Sequence, residues 1–108
     1  MSVTTKNPIC KVSLRLLGDY WTMLIVDMLS DGPRRFRNLE QNIEDINTAT
    51  LTTRLKSMAA AGLVQRSEQS RADVTYELTD LGKQAIPVLH AVNKFSDYAE
   101  ASTNKVQS

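Results

Sequence analysis

The chain has 108 residues, of which 42% are hydrophobic, and a formal net charge of +1. This size and composition fit one globular domain, and no apolar run approaches the ~18 residues that a membrane-spanning helix requires. The N-terminus lacks the apolar core of a secretion signal. The single cysteine excludes an internal disulfide and is typical of the reducing cytoplasm, so we expect a cytoplasmic protein without a membrane partner.

Two helices are predicted at the start of the domain. Asn7 followed by Pro8 is a typical helix start, and Gly18 can end the helix, which predicts a first helix at residues 8–17. A second helix is predicted at about residues 20–30, where a continuous apolar stripe indicates ordinary core packing.

The next two predicted helices are joined by a tight turn. The first is short, at residues 36–42, and Asn47 is a good N-cap for the second, at about residues 48–61. Gly62 supplies a left-handed residue at its end, as in a Schellman motif. Two helices in this order form a helix-turn-helix, whose second member is the recognition helix.

The recognition helix has two different faces. Leu51, Leu55 and Met58 share one face, which is therefore expected in the core. The other face holds short polar or cationic side chains and no carboxylate: Thr48, Ala49, Thr50, Thr53, Arg54 and Lys56. On an isolated helix this pattern would indicate a solvated surface, but within a helix-turn-helix it favours the major groove of double-stranded DNA.

Two strands follow, at residues 64–68 and 74–78, and a polar tip at residues 69–73 joins them. They predict a wing at about residues 63–78, and so a mainly α fold with a small β-hairpin (α+β), a winged helix-turn-helix. We expect Arg71 at the tip, and Arg37 at the entry to the short helix, to contact the DNA backbone or the minor groove. For Arg35 we expect either the same contact with DNA or an internal salt bridge.

The charge distribution agrees with this location for the DNA contacts. Residues 34–71 contain seven cations and four anions, a net charge of +3, whereas the remainder of the chain carries −2. A local excess of positive charge matters more for binding a polyanion than the overall sum.

A last helix, capped by Thr79, is predicted at about residues 80–101, with a bend at Pro87. Its apolar residues follow a heptad rhythm and form a wider face than one intrachain contact needs. We therefore expect a homodimer whose seam is centred on Val88, Val92 and Phe95; the alternative is a helix packed only on its own core. The domain would then span residues 7–101, between an N-terminal arm (1–6) and a polar tail (102–108).

Three segments in this order, at residues 16–39, 51–66 and 74–89, resemble the HxlR-type winged-helix transcriptional regulators. Gly18, Trp21, the Gly32-Pro33 pair and the Arg35-Phe36 pair look like that family's pattern. The resemblance implies a winged helix-turn-helix dimerising through terminal helices, a homodimer in which each subunit places a recognition helix in the major groove of a pseudo-palindromic operator. A neighbouring winged-helix type, MarR or PadR, is an alternative that keeps the DNA binding.

Several members of the family sense oxidants or electrophiles through a cysteine near the N-terminus, usually followed by proline. Here Cys10 is followed by Lys11 and is displaced from the family's position. Cys10 is accordingly either a possible redox-sensing residue or a small structural hydrophobe. No small-molecule effector is indicated by the residues.

Other functional classes receive little support. A winged helix used only for protein interaction would be expected to show acids or large apolar residues on the outer face of the recognition helix. An enzyme is disfavoured because His90, the single histidine, has no cysteine, acid or serine at catalytic or metal-ligand spacing. We expect no cofactor and no metal.

Overall fold

The computed structural model describes the backbone of residues 8–107 and the side chains of residues 13–102. Its elements, in chain order, are α1 (Pro8–Leu17), α2 (Tyr20–Leu29), β1 (Arg34–Arg35), α3 (Phe36–Asn42), α4 (Thr48–Ala60), β2 (Val64–Ser70), β3 (Asp73–Leu78), α5 (Asp80–Lys83) and α6 (Ala85–Gln107). Helices α3 and α4 form the helix-turn-helix, and β2 and β3 form the wing. The winged helix expected from the sequence is confirmed.

The recognition helix α4 begins and ends as its sequence predicts. The side chain of Asn47 accepts a hydrogen bond from the backbone N–H of Thr50 at 2.7 Å. At the other end, Gly62 has a φ of +82°, and the N–H of Leu63 donates to the carbonyl of Met58 at 2.8 Å. This is the Schellman arrangement, which satisfies carbonyls that the helix end would otherwise leave free.

The wing belongs to a three-stranded antiparallel sheet with the order β1-β3-β2. The sequence predicted a two-stranded hairpin and did not reveal β1, because a strand of two residues has no alternating pattern. Strand β1 pairs Arg34 with Tyr76 and thereby fixes the wing to the residues just before α3. The wing tip is also tighter than expected, since Ser70 pairs with Asp73 and leaves only residues 71–72 in the turn.

The hydrophobic core is centred on α2. Ile25 and Val26 of this helix are fully buried, and the apolar face of α4 packs against it through Leu51, Leu55 and Met58. The inner face of α4 is therefore fixed by the core, which leaves the opposite face of this helix for another partner.

The last predicted helix is in fact two helices, α5 and α6, separated at Gln84. Pro87 has no N–H to donate to the carbonyl of Lys83, and its ring would crowd that carbonyl, so the chain breaks before the proline instead of bending at it. Gly82 lies in α5 because a Cβ there would be 2.0 Å from the carbonyl oxygen of Leu63. Helix α6 also continues beyond residue 101, the end expected from the sequence.

Helix α6 packs on the body at its start and then extends away from it. Ala85 and Leu89 are buried, but every residue from 91 to 98 is exposed. The radius of gyration is 16.2 Å, against about 13 Å for a compact domain of this length. Within the described part of the chain, no helix is long and apolar enough to cross a membrane.

Candidate nucleic-acid interface

The outer face of α4 is polar and accessible. Thr48, Ala49, Thr53 and Lys56 are exposed. Among the described residues, no large exposed hydrophobic side chain lies on the helix-turn-helix or the wing: those present are Leu14, Tyr20, Leu81, Val88, Val92, Phe95 and Tyr98. The apolar contact that a protein-interaction surface would offer is therefore absent from this part of the described structure.

Four of the seven cations between residues 34 and 71 have partners within the protein: Arg34, Arg35, Arg54 and Arg66. Arg34 donates to the carbonyl of Met28 at 2.6 Å and to the side chain of Asn38 at 2.7 Å, which ties the end of α2 to α3. Arg35 forms an ion pair with Asp73 at 3.3 Å, so the internal salt bridge, one of its two expected roles, is present.

Arg66 pairs with Glu68 on the same strand at 2.7 Å. The hydrogen bonds from its side chain to Glu68 and Tyr76 raise the pKa of Arg66, so the guanidinium stays charged. Both paired side chains are about half exposed, and Arg66 lines the cleft described next.

The other three of the seven cations, Arg37, Lys56 and Arg71, have neither an ion pair nor a side-chain hydrogen bond among the described residues. All three are exposed and line one open cleft of about 510 Å³ between α3, α4 and the wing. Leu55 and Tyr76, both buried, contribute to its apolar lining. The structure thus brings together three predicted DNA-contacting cations from three separate segments, on one side of the recognition helix.

Arg54 is the exception among the predicted contacts on α4. Its Nε donates to Oδ2 of Asp19 at 2.8 Å, it is only one-third exposed, and it does not line the cleft. The sequence grouped Arg54 with the base-contacting residues because it is cationic, but the guanidinium is directed toward the start of α2. Burial raises the pKa of Asp19, and hydrogen bonds from Arg54 and Thr22 outweigh it, so the pKa is lower than usual and the carboxylate is ionised at neutral pH.

Thr48 also has an internal partner. Its hydroxyl donates to the carboxylate of Glu40 on α3, which links the two helices of the helix-turn-helix at the start of α4. Thr50 is half-buried. The remaining outward residues of the predicted set are therefore Ala49, Thr53 and Lys56.

Two other residues singled out by the sequence belong to the first and last helices. Cys10 falls within α1, but its side chain is outside the described residues. His90 is exposed on α6. The described residues contain no group of three or more histidine, cysteine or acidic side chains that could hold a metal.

A family model for the HxlR-like helix-turn-helix matches residues 16–104, which include α2, the helix-turn-helix, the wing and most of α6. The chain belongs to this family. It is a winged-helix transcriptional regulator, as the sequence resemblance indicated.

Individual relatives agree with this assignment. The chain is 40% identical over 80 residues to BH0655, an HTH-type transcriptional regulator of Halalkalibacterium halodurans, with 71% of each chain covered. It is 30% identical to the transcriptional regulator YodB of Bacillus subtilis over 95 residues, with 86% of this chain and 85% of YodB covered.

Solved structures give the same fold. The structure of quinone-bound YodB superposes with a TM-score of 0.76 at 30% identity, covering 85% of this chain and 98% of that one. A regulator of Porphyromonas gingivalis described as a MarR-family protein also has a TM-score of 0.76, at 27% identity over 84% of this chain and 90% of that one. The fold is therefore shared with the alternative family, and the family model identifies the chain as HxlR-like.

Two residues with clear roles in the site were missed by the sequence reasoning. Asp19 stands directly before an apolar helix, which is the usual position of an N-cap, so its capping role was predictable from that signal. Its ion pair with Arg54 was not, because the two residues are 35 positions apart. Glu40 gave no comparable signal.

Proposed function

We propose that the protein binds a pseudo-palindromic operator in double-stranded DNA as a homodimer. Each subunit would insert the outer face of α4 into the major groove, with Ala49 and Thr53 facing the bases. Lys56, Arg37 and Arg71 would hold the sugar–phosphate backbone where it passes between α4 and the wing. Two-fold symmetry of the dimer would place the half-sites about one helical turn, or ~34–36 Å, apart.

The observation that carries this proposal is the distribution of paired and unpaired cations. Cations held by carboxylates or carbonyls of the protein are already occupied by those contacts, whereas unpaired, exposed ones are available to phosphates. Arg37, Lys56 and Arg71 come from α3, α4 and the wing tip and line one cleft. Phosphate contacts fix the register of a protein on DNA, and the adjacent helix then reads the bases.

The homodimer is supported by the exposed face of α6. Val88, Val92, Phe95 and Tyr98 are between 38% and 75% exposed, which is costly for side chains of this type in water. The intrachain core uses only the start of this helix, through Ala85 and Leu89. A second copy of the same helix would cover the remaining face.

Selection of bound fragments from the source genome, followed by sequencing, tests the function directly. We expect enrichment of sites with two related half-sites in inverted orientation. If no fragment is enriched, the protein is not a sequence-specific DNA-binding protein, and an interaction module becomes the better interpretation.

Arg71→Ala is expected to lower the salt dependence of operator binding. Arg71 is exposed at the two-residue wing turn and has no ion-pair partner among the described residues. Each phosphate contact contributes about −0.9 to the slope of log affinity against log salt, so the loss of one contact per subunit should reduce the slope of the dimer by about two. Binding assays from low to moderate salt would measure this.

The control for this experiment is Arg15→Ala, which removes a cation from α1, outside the helix-turn-helix and wing. It is expected to leave the slope close to that of the wild type. An unchanged slope in Arg71→Ala would exclude the wing tip from the DNA contacts.

A response to electrophiles through Cys10 is proposed as a regulatory property, because the relative YodB was solved in a quinone-bound form. Cys10 is the single thiol, so oxidation can join it only to a second subunit or to a small thiol. Treatment with a quinone or mild peroxide is expected to weaken operator binding by the wild type but not by Cys10→Ser. If both proteins respond alike, or neither responds, Cys10 does not sense these compounds.

A further inference from the structure

The contact between Asp19 and Arg54 joins the start of α2 to the middle of the recognition helix. Nε of Arg54 donates to Oδ2 of Asp19 at 2.8 Å. The same oxygen accepts from the backbone N–H and the hydroxyl of Thr22 at 2.9 and 3.0 Å. One carboxylate oxygen therefore both caps α2 and binds a side chain of α4.

Capping alone does not require a carboxylate at this position. Serine, threonine and asparagine cap helices about as well as aspartate, and Asn47 does so at α4. The negative charge matters for the second contact, because a guanidinium binds a carboxylate more strongly than a neutral acceptor. Stability is also a weak explanation, since ion pairs as exposed as this one, at 28% and 33%, contribute little to folding.

Asp19 is a rigid point of attachment. The N–H of Gly18 donates to the carbonyl of Leu14 at 2.8 Å, and a Cβ on Gly18 would be 2.5 Å from that oxygen, so the junction between α1 and α2 closes tightly. On its other side, Asp19 continues into α2, whose Ile25 and Val26 are fully buried. A side chain bound to Asp19 is therefore bound to the core of the domain.

We propose that Asp19 is a positioning residue for operator binding, which acts through Arg54 by fixing the orientation of α4 on α2. This inference rests on the proposed DNA-binding function. Arg54 does not line the cleft between α3, α4 and the wing, and its described hydrogen bond is directed into the protein. The outer face of α4 must enter the groove at a defined angle, and binding residues are effective only when supporting contacts hold them in place.

Asp19→Asn separates this role from simple electrostatics. Removing a carboxylate beside a DNA-binding surface should strengthen binding to a polyanion if charge alone mattered. A positioning role predicts the opposite sign for the operator: asparagine keeps the cap but loses the charge that holds Arg54. We expect operator affinity to fall about tenfold, with affinity for unrelated DNA unchanged or higher and the melting temperature near that of the wild type.

Two further variants test whether Asp19 affects operator binding through Arg54. Arg54→Gln should weaken operator binding to a similar degree without changing the salt slope, because no phosphate contact is lost. The double variant Asp19→Asn/Arg54→Gln should be no weaker than either single variant, since residues in one contact are not additive. Asp27→Asn removes an exposed acid from the same helix and is the matched control, expected to bind as the wild type does.

Several results would overturn the inference. One is that Asp19→Asn binds the operator as tightly as the wild type or more tightly. A second is that Arg54→Gln reduces the salt slope of operator binding by one or more. A third is that the double variant loses as much operator affinity as the two single variants together. Failure of the wild type to bind any operator would instead remove the proposed function itself, so the two failures are distinguishable.

Discussion

Val92→Asp is expected to give monomers that keep their fold and lose operator binding. Val92 is 48% exposed on α6, between the exposed Val88 and Phe95. In a symmetric dimer the substitution would bury two carboxylates without partners, each costing about 3–5 kcal/mol. At about 1.4 kcal/mol for each factor of ten, dimerisation should weaken by three orders of magnitude or more. Sedimentation at micromolar concentration, together with far-ultraviolet circular dichroism, measures both parts of the prediction.

Asn93→Asp is the matched control, because it adds the same charge to an exposed neighbour that lies about 100° away around the helix. It is expected to remain dimeric. A wild-type chain that sediments as a monomer, or a dimeric Val92→Asp protein, would contradict the proposed seam. The loss of DNA binding in the monomer follows from symmetry, since one subunit can contact only one half-site.

Local signals predicted the helices well because each helix end depends on a few neighbouring residues. The N-cap Asn47 and the left-handed Gly62 lie within one turn of the helix that they end, and α4 ends one residue from its expected limit. Patterns of this kind are readable because the capping chemistry is local. The split between α5 and α6 is also local in origin, but its position was predicted incorrectly: α5 ends at Lys83, four residues before the bend expected at Pro87.

Tertiary pairing was not readable in the same way. Strand β1 exists only because Arg34 and Arg35 meet β3, some 40 positions later, and two residues carry no periodic signal of their own. The pairing of the cations with acids is another example. The net positive charge of residues 34–71 can be counted in the sequence. Only the fold shows that Arg54 is bound by Asp19, whereas Lys56, two residues further along, is not bound by an acid.

This division of the cations refines the function that could be inferred from the sequence. The outer face of α4 was predicted as one uniform surface, whereas the structure separates it by orientation. Thr48 and Arg54 bind internal acids, and Thr53 and Lys56 face outward. We therefore expect Thr53 to contact the bases and Lys56 to contact the phosphates, while Thr48 and Arg54 support the position of the helix.

Thr53→Glu is the strongest test of direct readout by α4. Thr53 is exposed on the helix side opposite the buried Leu51 and Leu55. Glutamate is a better helix former than the β-branched threonine, so the fold should be preserved. A carboxylate facing the phosphates and base edges of the groove costs several kcal/mol through like-charge repulsion, and operator affinity should fall by on the order of a hundredfold or more.

Asn93→Asp again provides the control, because it changes the net charge by the same amount away from the helix-turn-helix. Operator binding by Thr53→Glu within about threefold of the wild type would show that this face of α4 does not enter the groove.

Repulsion alone would weaken binding to any DNA, so Thr53→Val completes the test. It keeps the shape of the side chain and removes only the hydroxyl. Since one base contact discriminates by about 1–3 kcal/mol, a loss confined to the operator, with unrelated DNA unaffected, would identify the Thr53 hydroxyl as a group that reads sequence.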